Sequence, residues 1–187
     1  MANKVTFGLS NLYVCTYTVG TGGTVTLGTP YHQRGAVSLN LDAEGDESSF
    51  AADNNARYWS HFSDNGFSGT LETAMFDDEF KKQFLGFRET QGGGLGQVKN
   101  ATKPAVCILF QIEHDETASR CILYNCALGN ITKEHSTTED KIEPTTDSLD
   151  FTVTGDNETG LTKNVFGADS AAYATFFTAP PAPAFAE

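Results

Sequence analysis

Three stretches of the chain alternate apolar and polar residues with a period of two, which predicts half-buried strands. They are Ala36-Val37-Ser38-Leu39-Asn40-Leu41, Phe67 to Ala74, and Ser148 to Thr154, the last with Leu149, Phe151 and Val153 on one face. A fourth strand is predicted over Leu12 to Val19, where Tyr, Val and Thr dominate and fit a pleated surface. Gly20 to Gly23 then reads as a turn and Thr24 to Leu27 as the returning strand. Ala105 to Ile112 and Ser119 to Leu128 are strongly apolar strands, joined as a hairpin by the polar turn Glu113 to Ala118.

The stretches between them behave differently. Residues 42–66 open with Asp42, Glu44, Asp46, Glu47 and Asp53, then carry Arg57, Tyr58, Trp59, His61 and Phe62 with no clean period. This reads as a long excursion from the sheet that can include an extended hairpin, and long ordered loops usually serve a function. One helix is predicted after Asp77 or Asp78 as cap, with Phe80, Phe84 and Leu85 at helical spacing and Gly86 as its stop. Residues 91–103 form a Gly-rich loop, and 129–146 a second long polar loop. A short helix is expected around Ala168 to Phe177, followed by the extended Ala179-Pro180-Pro181-Ala182-Pro183. The fold class is mainly β (α+β): a β-sandwich or partial barrel with one flanking helix and long loops.

Composition narrows the function. With 24 acidic against 12 basic residues the formal net charge is -12, which opposes wrapping of phosphates and serves solubility. Four cysteines, Cys15, Cys107, Cys121 and Cys126, form no C-x-x-C pair. Cys121 and Cys126 differ in parity, so on an unbroken strand they face opposite sides of the sheet. Buried thiols in a reducing cytoplasm are expected. Met1 to Lys4 leads into an alternating run and not an apolar leader core. No apolar stretch approaches the ~20 residues of a membrane span. A soluble product made inside the cell, with no membrane partner, is the expectation.

Catalytic patterns are missing. His32, His61, His114 and His135 have no metal-ligand spacing. His114-Asp115 sits in a polar turn without an activated nucleophile. Neither Gly20 to Gly23 nor Gly92 to Gly96 has the phosphate-loop pattern. The Asp42, Glu44, Asp46 spacing does not fit an EF-hand. No enzyme, cofactor or metal is expected.

Several segments in order resemble a known family. They are Asn3 to Tyr13, Gly35-Ala36-Val37-Ser38-Leu39-Asn40-Leu41-Asp42-Ala43-Glu44-Gly45-Asp46, Asn65-Gly66-Phe67-Ser68-Gly69-Thr70-Leu71-Glu72 and Asp77 to Gly86. Arg120 to Cys126 and Thr138 to Thr146 follow. The set resembles the major tail protein family of long-tailed, non-contractile phages of Gram-positive bacteria, from residue 3 to about residue 155. The resemblance implies a tail-tube β-sandwich domain over residues 1–155 and a partly extended C-terminal extension over 156–187. It implies hexameric rings that stack into a hollow tube for DNA passage, and no catalytic residue. Implied partners are further copies of the chain, a tape measure in the lumen, a terminator and a tail tip at the ends, and transiently passing DNA.

Within that frame the lumen-facing candidates are Ser38, Asn40, Ser68, Thr70 and Glu72, on strands 35–41, 67–74, 120–128 and 148–154. A polar face suits a water-filled channel and equally an ordinary solvent-exposed sheet. Contacts between rings or subunits are assigned to the loops 42–66 and 129–146, with Asp42, Glu44, Asp46, Tyr58, Trp59, Phe62, Lys141 and Glu143 as candidates. Core packing is the rival role for the aromatic residues. Rival functions are a capsid decoration or tail-terminator protein, and a carbohydrate-binding β-sandwich using Trp59 and Tyr58.

Overall fold

A computed structural model describes residues 8–113, 118–135 and 144–185. The strands are β1 (Leu9–Val19), β2 (Val25–Leu27), β3 (Tyr31–His32), β4 (Ala36–Ala43), β5 (Glu47–Ala52), β6 (Asn55–Phe62) and β7 (Phe67–Thr73). After helix α1 (Asp78–Leu85) come β8 (Arg88–Glu89), β9 (Leu95–Gly96), β10 (Val106–Ile112), β11 (Arg120–Lys133), β12 (Asp147–Val153) and β13 (Lys163–Phe166). Nine of these strands make one antiparallel sheet in the order β2-β1-β10-β11-β12-β7-β4, with β13 on β11 and β3 on β1. The sheet curls until β4 lies close to β1, so the mainly β expectation takes the form of an open partial barrel with α1 packed into it.

The sheet divides by what covers it. β10 is apolar at nearly every position, and both of its faces are covered. Val106, Ile108 and Phe110 join a core with Phe80, Phe84 and Leu85 of α1. Cys107 and Leu109 join a second core with Cys15, Tyr17, Tyr124 and Phe176 on the opposite face. β12, β7 and β4 are covered on one face only, by Leu149, Phe151, Leu71, Leu39 and Leu41 packed into the first core. Continuous apolar runs thus mark the two-sided centre, and alternating runs mark the one-sided margin.

Parity along β11 is reset in mid-strand. Asn125 adopts φ 51°, and the register to β10 slips between Val106 and Ile108. The bulge puts Cys121, Leu123, Cys126 and Leu128 in one core, and Ile122 and Tyr124 in the other. Cys121 and Cys126 therefore share a face, contrary to the parity argument, because a bulge adds one residue to the alternation. Asn tolerates left-handed backbone better than most residues. Its side-chain amide donates to the Gly155 carbonyl at 2.8 Å. All four cysteines are buried thiols outside any disulfide.

α1 is built as its sequence demands. Asp77 caps it, accepting from the Phe80 amide at 2.8 Å and from the Tyr31 hydroxyl at 2.6 Å. Burial, then the Asp77 carboxylate, pushes the Tyr31 hydroxyl up to about 12. Gly86 ends the helix at φ 70°, a conformation glycine takes without a Cβ penalty.

Two expected elements differ. Residues 129–133, expected in a loop, continue β11 and pair with β12. The stretch around 168–177 forms successive turns, with Ser170, Tyr173 and Phe176 amides each donating three residues back, instead of an α-helix. Its side chains decide this. Phe176 fills the second core, while Tyr173 and Phe177 flank the Arg120 guanidinium at 3.8 and 4.7 Å from their ring centres. Phe177 also stacks on Tyr13, and Tyr13 on His32. The Tyr124 hydroxyl donates to the Pro181 carbonyl at 3.0 Å, which ties down the proline-rich stretch.

Candidate functional site

The uncovered face of the sheet margin is the first feature without a structural partner. Register places Ser38, Glu72, Ser148 and Thr132 in one cross-strand row. Asn40, Thr70 and Asp150 form a second row, and Asp42, Ser68, Thr152 and Ala127 a third. The five expected residues Ser38, Asn40, Ser68, Thr70 and Glu72 are thus contiguous on one face. Asp150, Thr152, Ser148 and Thr132 complete it and were not singled out from the sequence. Alternation in Ser148 to Thr154 does carry the signal for three of them. Residues 121–124 and Cys126 of β11 are buried, so the stretch 120–128 contributes little to this face, and 127–133 takes its place.

Hydroxyls on this face are spent on carboxylates. The Ser38 hydroxyl donates to Glu72 at 2.9 Å, and Thr146 donates to the other Glu72 oxygen. The Thr146 bond, then the Ser38 bond, hold the Glu72 carboxyl below its ordinary value, so it stays ionised. Thr70 donates to Asp150 at 2.8 Å, Asn40 to Asp42 at 2.7 Å, and Ser68 to Glu44. No Lys or Arg occurs in β4, β7 or β12. The face is an acidic, hydroxyl-rich patch, and Lys133 beside it pairs at 2.9 Å with Asp147, in the adjacent register row with Thr73.

The second feature is the excursion 42–66, which is ordered throughout as a ribbon. Past Ala43 and Phe67 the β4–β7 pairing is carried on by backbone bonds between Glu44 and Gly66 at 2.9 Å and between Asn65 and Glu44 at 2.8 Å. Bonds between Ser63 and Asp46 at 3.0 Å lead into β5–β6. Asp53 and Asn54, at φ 49° and 55°, close the tip. Two successive positive φ values are what a two-residue hairpin turn with the right twist needs. Each arm of β5–β6 extends ~20 Å by the rise of a strand.

Among the described residues no core covers either face of this ribbon. Phe50, Tyr58, Trp59 and Phe62 are 60, 60, 52 and 70% exposed. Phe50 opposes Trp59 across the strands, and Trp59 stacks on His61 at 5.8 Å. Tyr58 follows the other parity, as does Phe62, which opposes Glu47. The core role for Tyr58, Trp59 and Phe62 does not hold in this chain, and Trp59 and Tyr58 do not form a common sugar-stacking platform. Asp42 lies on β4, and Glu44 and Asp46 lie at the root of the ribbon. Lys141 and Glu143 lie outside the described residues, as do His114 and Asp115.

Most buried polar groups elsewhere are accounted for by the fold, Gln33 Oε1 and Thr73 Oγ1 being without a hydrogen-bond partner among the described residues. Asp156 accepts from the Tyr17 hydroxyl at 2.6 Å and from the Thr159 amide and hydroxyl at 2.7 Å. Burial opposes its charge, but these bonds win and hold the carboxyl below its ordinary value. Asp147 accepts from the Phe76 amide at 3.1 Å. Lys103, its ammonium made less basic by burial, donates to the Leu128 carbonyl and the Asn130 side chain at 3.2 and 2.8 Å, which satisfies the second irregularity of β11. Among the described residues no group of three His, Cys, Asp or Glu is placed to hold a metal ion, and no helix is long and apolar enough to cross a membrane.

The family described as phage tail tube protein matches residues 1–180. No curated protein matches the chain. Two of the solved structures similar to it are from the anti-feeding prophage. One is the tube-terminating cap of the anti-feeding prophage, 10% identical over 90% of this chain and 95% of that chain, with a TM-score of 0.49. The other is the six-fold symmetrised baseplate of the anti-feeding prophage, 9% identical over 91% of this chain and 99% of that chain, with a TM-score of 0.46.

Proposed function

The chain belongs to the phage tail tube protein family, a family of structural tail proteins, and on that premise we propose that it is the repeating subunit of the hollow tube of a long non-contractile tail. Six copies close a ring, and rings stack. The acidic face of β4, β7 and β12 lines the channel, a tape measure occupies the lumen before DNA does, and a terminator and a tail tip close the ends. The host is a Gram-positive bacterium, and assembly takes place in its cytoplasm.

The observation that carries this reading is the charge of the uncovered face. It presents Asp42, Glu72 and Asp150, with Glu44 at its margin, and no cation on the three strands. Phosphates neutralised by Lys or Arg bind with release of counterions, so a basic wall would hold DNA. An acidic wall repels it. Charges act over a Debye length of ~8 Å at physiological ionic strength, enough to keep a hydrated gap between wall and polymer. A monomer has no need for such a clean one-signed face, whereas a channel does.

Closing the sheet between neighbours would also occupy its free edges at β4 and β2, which otherwise offer unpaired backbone groups. The exposed ribbon β5–β6 would reach an adjoining copy, and burying each of its large apolar side chains would contribute ~1.5–3 kcal/mol.

Electron cryo-microscopy of the purified protein over a range of concentrations tests the proposal. Hollow tubes of stacked six-fold rings are expected, with Thr70, Asp150 and Thr152 on the channel wall. A reconstruction that puts this face on the outer surface, or particles without a channel even when a tail-tip complex is supplied, would overturn it.

A further inference from the structure

The chain is acidic overall, yet its charge is sorted into two segments of opposite sign. Residues 44–64, the ribbon and its root, hold five carboxylates and one cation, Arg57, which pairs with Glu47 at 3.1 Å. Residues 81–103 hold five of the chain's 12 basic residues and one carboxylate, Glu89. In the second segment Lys82 pairs with Glu89 at 2.5 Å, and Lys103 is tied to β11. Arg88 and Lys99 are exposed and have no ion pair among the described residues.

Among the described residues no hydrogen bond or ion pair joins the two segments within one copy, β5 pairs with β6 alone, and β8 with β9 alone. α1 starts from the Thr73 end of β7, and the ribbon leaves from the Phe67 end. The tip of the β8–β9 hairpin is sterically open. Nothing lies within 4 Å of where a Cβ on Gly92 or Gly93 would sit, and Val98 is exposed.

We propose that the β5–β6 ribbon of one copy docks on the basic segment 86–103 of a second copy, with Arg88 and Lys99 received by the carboxylates and aromatic rings of the ribbon. The inference rests on the tube reading and names the two surfaces that meet within it. The ribbon is built to receive cations. It sets carboxylates beside uncovered rings, and a guanidinium or ammonium over such a ring gains a cation–π attraction beyond its ion pair. Val98 and the glycine tip give the ring edges an apolar, sterically open floor. Because the two surfaces differ, the contact is head-to-tail and propagates from copy to copy, as a tube requires. Opposite fields also select this pairing over ribbon-on-ribbon contact, which would set like charges together.

Two double variants and their mixture test the contact, read as tube yield and length in negative-stain images against wild type. Asp46→Lys/Glu47→Lys alone, and Arg88→Glu/Lys99→Glu alone, are expected to raise the concentration needed for tubes about tenfold or more. Each then faces its own kind with like charge. Mixed in equal amounts they are expected to assemble, because each ribbon finds the opposite charge on the other variant. Circular dichroism of both variants should match wild type, since all four residues are exposed. Assembly of either variant alone at the wild-type concentration overturns the proposal while wild-type tubes leave the tube reading standing. Folded variants that fail both alone and mixed also overturn it. Wild-type protein that makes no tube under any condition counts against the tube reading itself.

Discussion

β4–β7 and β5–β6 are two halves of one continuous ribbon with opposite surroundings. In the proximal half Leu39, Leu41 and Leu71 enter the helix-side core and, Val37 apart, it is mainly the polar alternates that face water. In the distal half four large apolar side chains split over both faces, and none is covered. The backbone pairing is the same in both, so pairing alone does not explain why the distal half carries these residues. Isolated two-stranded ribbons are marginal in water. Apolar residues that contribute nothing to folding the monomer are explained by a surface they cover after folding. The proximal half belongs to stability, and the distal half to association.

That contrast can be broken most directly with paired truncations. Phe80→Ala, in the core that backs the proximal half, should lower the urea unfolding free energy of the monomer by about 3–5 kcal/mol. Phe62→Ala on the distal half should change it by less than about 0.5 kcal/mol and yet reduce tube yield. Equal losses of monomer stability would dissolve the distinction.

A backbone test follows. A Cβ at Gly69 would sit 2.3 Å from the Asn40 carbonyl oxygen and 2.7 Å from the Phe151 ring. Gly69→Ala should therefore cost about 1–3 kcal/mol through overpacking. Ser49→Ala on the distal ribbon, where nothing packs, should be close to neutral in the same unfolding titration.

Acid titration separates the core from both halves. The Asp156 carboxyl is depressed by Tyr17 and Thr159 against the effect of burial. Its contribution is complete above the unfolded-state value of ~4 and is lost as pH falls through the lower folded value. Asp156→Asn should cost about 1–3 kcal/mol at neutral pH and less at strongly acid pH. A loss independent of pH would show that the Asp156 charge is immaterial.

A small effect on stability is also expected on the acidic face. Thr70→Lys with Thr152→Lys should leave monomer unfolding within about 1 kcal/mol, since both side chains point to solvent. Phage carrying such tubes should release DNA more slowly in an ejection assay, with the delay shrinking as salt rises. An unchanged rate would count against the channel assignment.

The acidic face was legible in outline because three alternating stretches, 36–41, 67–74 and 148–154, turned out to be adjacent strands. Caps at Asp77 and Gly86 were legible because their chemistry is local. The ribbon was legible only as an excursion. Its register depends on two positive-φ residues, Asp53 and Asn54, whose signal is weak beside the surrounding polar sequence. The continuation of β11 through 129–133 was missed because Gly129 and Asn130 interrupt the alternation, and pairing to β12 compensates for it. The shared face of Cys121 and Cys126 was missed for a related reason, the bulge at Asn125.

The sequence by itself determined the period of each strand, the helix with both its ends, the net charge and its sorting into an acidic and a basic segment. These are properties of residues near one another in the chain. Tertiary structure alone decided which alternating strands lie side by side, and hence that their polar positions merge into one acidic face. It also decided that residues 168–178 fold as turns around Arg120 and Phe176, and that the aromatic residues of the ribbon stand uncovered. Each of these depends on contacts between residues tens of positions apart, whose burial outweighs the local preference for a helix or a loop.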